Sequence, residues 1–281
     1  MANDRQKTAR WWIPLAGVLV AGAIVGGCLL IQSNPQANQP ATQPVATGQS
    51  QGAYRQYIYG GLPKTTQGLK LLTNQGYLVG YSEKHRDPVW VAYRLFKVAN
   101  APAIPRPKKF TVDDRTEAKV KSSDYSSTGY DRGHMAPNHA IATRYGADAQ
   151  VETFLMSNVC PQRPNLNRRV WERLEALEAD DYANRFEELW VVDGPIFDDQ
   201  PEKLAAGIDV PRAFFKIIVD EAQGRPRMLG FIMPQTVRGD ESPRMFLVAD
   251  IEKQTGLDFF TDLPKDEEQK LEAQTPQEMW Q

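Results

Sequence analysis

Tyr130-Asp131-Arg132-Gly133-His134-Met135-Ala136-Pro137 sets an acid, a fixed cation and a titratable base within four positions. In an extended segment, side-chain alternation throws Arg132 and His134 to one face. A planar guanidinium beside a neutral imidazole suits phosphate chemistry. Arginine holds phosphate oxygens two at a time, and histidine takes a proton from water near pH 7. Taken alone the octet is a weak signal, and a surface turn carrying a chance cluster explains it too.

A second cluster lies downstream: Met156-Ser157-Asn158-Val159-Cys160-Pro161-Gln162, then Asn165-Leu166-Asn167, then Trp171 and Glu175. Asn167, Trp171 and Glu175 are spaced i, i+4, i+8, one stripe along a helix. An amide oxygen and a carboxylate on one stripe can hold a hard cation such as Mg2+, one directly and one through water. The bland alternatives are a helix N-cap for Asn167 and an ordinary exposed acid for Glu175. The other two histidines carry less. His85 sits in the charged run Glu83-Lys84-His85-Arg86-Asp87 and reads as a solvated bystander. His139 follows His134 by five residues, and Gly133 and Pro137 break any helix there. A zinc pair of the i, i+4 kind is therefore not expected.

The ordered set YDRGHMAP, FLMSNVCPQ, NLNRRVWERLE and VVDGPIF closely resembles the DNA/RNA non-specific endonuclease family. This is the ββα-metal (His-Me finger) nuclease group, Serratia-type and endonuclease G-like, and the resemblance runs over about residues 77–234. It implies that His134 is the general base and that Asn167 is the only direct protein ligand of Mg2+, with Mn2+ able to substitute. It further implies that Glu175 orients the metal's waters, that Arg132 is a phosphate-side or site-ordering cation, and that Asn158 supports the His–metal geometry. Arg106, in Pro105-Arg106-Pro107-Lys108-Lys109-Phe110, is the best match for an upstream arginine reaching the scissile phosphate. DNA and RNA are the implied substrates, and 5′-phosphates the implied products. Cys160 departs slightly from the family pattern and reads as a small buried hydrophobe.

The rest of the chain is consistent with such a domain. Of 281 residues, 41% are hydrophobic and 24% charged, a globular composition. Lys and Arg total 33 against 35 Asp and Glu, so nucleic acid would be held by a local basic patch rather than a strongly basic surface. Two cysteines exclude a disulfide-dense scaffold. Strands are expected near 77–81, 89–95, 154–159, 189–197, 213–220 and 228–234, and a helix over about 167–188. Strands outnumber helices without regular alternation. The fold class is therefore α+β, with a central mixed or antiparallel sheet, over residues 53–261.

Outside that span, residues 11–31 carry no charge and are long enough to cross a membrane. Basic residues precede them, so residues 1–10 should stay cytoplasmic. A membrane-anchored bacterial enzyme with an extracytoplasmic domain is expected. A cleaved signal, or a lipoprotein modified at Cys28 in Val25-Gly26-Gly27-Cys28, is the alternative. Residues 32–52, rich in Gln and Pro, form a flexible linker. Residues 262–281 form an acidic tail, helical or disordered. Two rival readings remain: a nuclease-like fold that binds without cutting, and a membrane-tethered interaction protein.

Overall fold

The computed structural model describes residues 54–99, 103–222, 224–239, 241–274 and 278–280. The expected segments 1–10, 11–31 and 32–52 lie outside the described residues. Among the described residues no helix is long and apolar enough to cross a membrane.

The apolar runs around 77 and 89 form β2 (Tyr77–Ser82) and β3 (Asp87–Phe96), preceded by β1 (Lys70–Asn74). Gly76, at φ +90, makes the β1–β2 turn in a conformation that side chains with a Cβ resist. β6 (Glu188–Ile196), β7 (Ala213–Ala222) and β8 (Arg225–Pro234) cover the later expected strands, and β9 (Arg244–Phe246) closes the edge. They build one seven-stranded sheet, β1-β2-β3-β6-β7-β8-β9, with every neighbouring pair antiparallel. The class is thus α+β with a central antiparallel sheet.

Both faces of the sheet are covered, and this is why its strands read as continuous apolar runs. Tyr77, Val79 and Tyr81 point into one core with Val170, Trp171 and Leu174 of a long helix. Leu78, Trp90 and Trp190 point into another with Val248, Ile251 and Leu271.

A separate two-stranded ribbon pairs β4 (Asp131–His134) with β5 (Val159–Gln162). β5 begins where the strand expected over 154–159 should end. The run at 156 is instead a 3-10 turn, Met156–Asn158. The expected helix spans 166–186, but Leu166–Trp171 and Leu177–Tyr182 are π-helical, with α-helical Glu172–Ala176 and Ala183–Phe186 after them.

Three expectations are corrected. His85 is no bystander: it is buried, 2.8 Å from Asp209 Oδ2, and stacked on Phe197 with ring centroids 4.4 Å apart. Arg86, in the left-handed region at φ 58, turns the chain so that this charged run folds inward. The domain does not stop at 261. Helix Lys265–Glu272 buries Leu271 in the second core, and Trp280 packs against Tyr182 and Phe186. Trp171 does not line the cleft with Asn167 and Glu175, although its indole lies beside the Glu175 carboxylate. The π-helical turns hold more residues than α-turns, and they rotate Trp171 into the core, edge-on to Phe214 at 5.7 Å.

Candidate active site

β4 delivers the histidine. Extended backbone over Asp131–His134 sends Arg132 and His134 to the same cleft, while Gly133 lies against the partner strand. A Cβ on Gly133 would overlap the Gln162 side chain, so the two strands can close only around glycine. Asn158 locks the end of β4. Its Oδ1 accepts from the Ala136 N–H at 2.8 Å, and its Nδ2 donates to the carbonyls of Ala136 and Thr153, each at 3.0 Å. Fully buried, Asn158 faces backbone rather than the cleft. It fixes the chain that carries His134.

The His134 ring lies between two aromatics. Its centroid is 5.0 Å from Phe110 and 4.9 Å from Phe154. The Phe110 strand segment is held there by the parallel bridge between Thr111 and Leu155. Burial in this sleeve, with the positive charge of Arg106 nearby, pushes the imidazole down to about 3. The ring is therefore neutral at physiological pH, the form that can accept a proton. Its Nε2 is buried and bonded to no other group among the described residues. Arg106 lies with its guanidinium 5.2 Å from the Phe154 ring centroid and lines the same cleft. Arg132 also lines it, donating from Nε to the Ser122 carbonyl at 3.0 Å and lying over Tyr125 at 5.7 Å.

The long helix forms the opposite wall. Gln235 sets its start, with Nε2 donating to the Pro161 carbonyl at 2.6 Å and Oε1 accepting from the Arg163 N–H at 2.8 Å. Asn167 lies in the first turn of the helix, its N–H donating to the Arg163 carbonyl at 2.9 Å, and does not cap it. Its Nδ2 donates to Asp131 Oδ2 at 3.0 Å. A carboxylate can only accept, so this contact assigns the amide and leaves Oδ1 to other partners. Arg168 grips the same carboxylate from Nε at 2.7 Å and Nη2 at 2.6 Å. These donors keep the Asp131 carboxyl below the usual range, against the opposing effect of its burial. Glu175 lines the cleft half-buried, and burial pushes it up to about 8, with Lys216 opposing.

The cleft that results holds about 400 Å³. His134, Asn167, Glu175, Arg106 and Arg132 all line it, although 69 residues separate Arg106 from Glu175. His139 and Asp180, 3.1 Å apart, stand at its rim, so His139 is turned to a carboxylate rather than paired with His134. Sequence reasoning passed over Phe110, Phe154 and Arg168. Only Arg168 left a signal, as the basic neighbour of Asn167.

The model of the family described as DNA/RNA non-specific endonuclease matches residues 60–266. Human mitochondrial endonuclease G is 30% identical over 219 residues, covering 71% of this chain and 71% of that protein. The mitochondrial nuclease EXOG of Xenopus laevis is 29% identical over 269 residues, covering 89% of this chain and 73% of its own length. Among solved structures, one of an EndoG/EndoGI complex, titled as showing the mechanism of EndoG inhibition, superposes with a TM-score of 0.65. It is 28% identical and covers 74% of this chain and 91% of that one.

Proposed function

The chain belongs to the DNA/RNA non-specific endonuclease family and is a hydrolytic nuclease, and we propose that it cuts DNA and RNA by a ββα-metal mechanism with His134 as base. The observation that carries this reading is the meeting of His134 and Asn167 across one arginine-bearing cleft. The ribbon of β4 and β5 facing the long helix supports that reading.

The donors at the cleft fit a hard divalent ion. Asn167 has its Nδ2 committed to Asp131 and its carbonyl oxygen left over, and Glu175 adds a carboxylate on the same wall. Both offer oxygen, the donor that Mg2+ or Mn2+ takes, and Mg2+ keeps several waters around a sparse protein shell. Asn167 would hold the ion directly and Glu175 through water, and the ion would neutralise charge developing on the phosphate and leaving oxygen. A cation beside Glu175 also favours its ionised form.

The remaining work falls to the protein. Arg106 and Arg132 bind and orient the phosphodiester. His134 takes a proton from the water that attacks phosphorus, with Phe110 and Phe154 holding the ring in place. A phosphate anion on Arg106 offsets the charge that depresses the imidazole, so His134 is a stronger base with substrate bound. Contacts to phosphate carry no direct sequence information, which supports low sequence preference, and a 5′-phosphate product is what resemblance to the family implies. Residues 11–31, long and uncharged, support an enzyme anchored in a bacterial membrane and displayed outside the cytoplasm, testable by fractionation.

The test is Mg2+-dependent digestion of plasmid DNA and of RNA. His134→Ala should lower turnover by at least ~10²-fold. Wild-type turnover in that variant would remove His134 from the mechanism. Asn167→Ala should raise the Mg2+ requirement, and activity that persists in EDTA would overturn the metal assignment.

A further inference from the structure

On the far face of the sheet, three acids from separate positions converge. Glu252 on the helix Val248–Thr255, Asp258 just beyond it, and Glu272 at the end of the helix Lys265–Glu272 each bring one carboxylate oxygen within 4.8 Å of the others. A fourth acid, Glu268, is buried one turn earlier on the last helix. Few positive groups face them. Lys265 Nζ lies 2.8 Å from Glu268 Oε1, and the Phe259 N–H donates to Glu252 Oε1 at 2.8 Å.

A second observation separates this cluster from ordinary surface acids. Glu272 is only 9% exposed, and its Oε1 is shielded from solvent with no hydrogen-bond partner among the described residues. A buried carboxylate oxygen without a donor is costly, and the groups beside it are carboxylates, which cannot donate when ionised. A proton can join two carboxylates and leaves the third charged. A divalent cation satisfies all three. The crowding also acts on the acids themselves: burial, then the charges of Glu252 and Glu268, push Glu272 up to about 7.

We propose that Glu252, Asp258 and Glu272 form a binding site for a hard divalent cation, distinct from the cleft that contains Asn167. An all-oxygen set selects Ca2+ or Mg2+ over softer metals. Ligand oxygens around one Ca2+ or Mg2+ lie at most roughly 5 Å apart, so three carboxylate oxygens within 4.8 Å of one another can share a single such ion. A bound ion would fasten the last helix to the one before it and to the bridge between Lys64 and Asp258. The long helix with Asn167 packs on the other face of the sheet, so the two sites do not share ligands.

The experiment is thermal unfolding of the full chain after EDTA treatment and dialysis, with CaCl2 or MgCl2 then added. Asn167→Ala serves as the background, because it removes the direct ligand in the cleft. Ca2+ at about a hundredfold excess over its Kd should raise Tm by roughly 5–10 °C. Glu272→Gln in that background should lose the rise. In EDTA the same substitution should raise Tm, since it relieves like-charge crowding. Asp258→Asn, at an exposed position, repeats the test where folding is not at risk. No rise with either ion, or a rise that survives both substitutions, overturns the site. Because Asn167 is absent throughout, a failure here leaves the catalytic reading untouched, and the reverse also holds.

Discussion

Asn167 can present either end of its amide to the cleft, and the Asp131 carboxylate selects between them by accepting from Nδ2. Partners that orient a metal ligand typically change metal affinity by about 10–100-fold when removed. Asp131→Ala should therefore raise the Mg2+ concentration for half-maximal cleavage by about that factor, with a smaller loss of rate at saturating Mg2+. Arg168→Ala is the control. Its side chain is 67% exposed, where solvent screening leaves an ion pair little net worth. A Mg2+ titration in which Arg168→Ala shifts as far as Asp131→Ala would show that the carboxylate acts through the arginine. At this scale the sequence was informative about residue type and blind to surroundings. Spacing alone put Arg132 and His134 on one face. It carried nothing about the aromatic sleeve, because Phe110 and Phe154 lie 24 residues before and 20 after His134 and meet it only in three dimensions.

The strands of the central sheet were legible as elements because burial on both faces makes them continuously apolar, whereas β4 escaped notice as a strand because its four residues are DRGH. The long helix was legible through Val170, Trp171 and Leu174, but its π-helical turns have no compositional mark. Beneath that helix lies a charged cluster that sequence patterns also hid. Asp193 on β6 and Lys216 on β7 sit opposite each other, both fully buried. Lys216 Nζ is 2.7 Å from Asp193, 3.1 Å from Glu178 and 2.8 Å from the Tyr93 hydroxyl. Two carboxylates share one ammonium, so one of them keeps a proton. Burial raises Glu178, and pushes Asp193 up to about 7, with Lys216 opposing both. The folded cluster thus binds more protons than the unfolded chain between about pH 4 and 7, and its contribution to stability falls as pH rises through that window, by at most ~1.4 kcal/mol per pH unit. Asp193→Asn should remove this slope, gaining on the parent as pH rises from 4 to 7 in urea denaturation. Lys216→Met should cost about 3–5 kcal/mol, because it strands buried acids without a cation, and the cost should grow with pH. Equal stabilities for parent and Lys216→Met at pH 7 would mean that the cluster is not held as drawn.

Across the whole molecule, the C-terminal residues bind the ends of distant elements together. Charge composition made 262–281 look like a solvated tail, yet its apolar minority governs where it lies. Leu271 is 2% exposed in the core on one face of the sheet. Trp280 serves the other face: its ring is 5.3 Å from Tyr182 and 5.5 Å from Phe186, with the Arg227 guanidinium 4.6 Å above it, and its carbonyl accepts from Arg185 at 3.0 Å. Tyr182 and Phe186 end the same helix that begins at the Asn167 turn, so this packing fixes the far end of the element on which the cleft is built. Burying a large apolar side chain contributes about 1.5–3 kcal/mol. Trp280 is only half-buried, so deleting residues 262–281 should cost at least about 2 kcal/mol through Leu271 and Trp280 together, lowering Tm by at least ~4 °C. Trp280→Ala alone should account for part of that loss while leaving the EDTA-sensitive part of the melting temperature in place, since it does not touch Glu252, Asp258 or Glu272. If deletion left Tm unchanged and removed only a binding partner, the segment would be an interaction tail and its packing on Tyr182 and Phe186 would count for nothing in the fold.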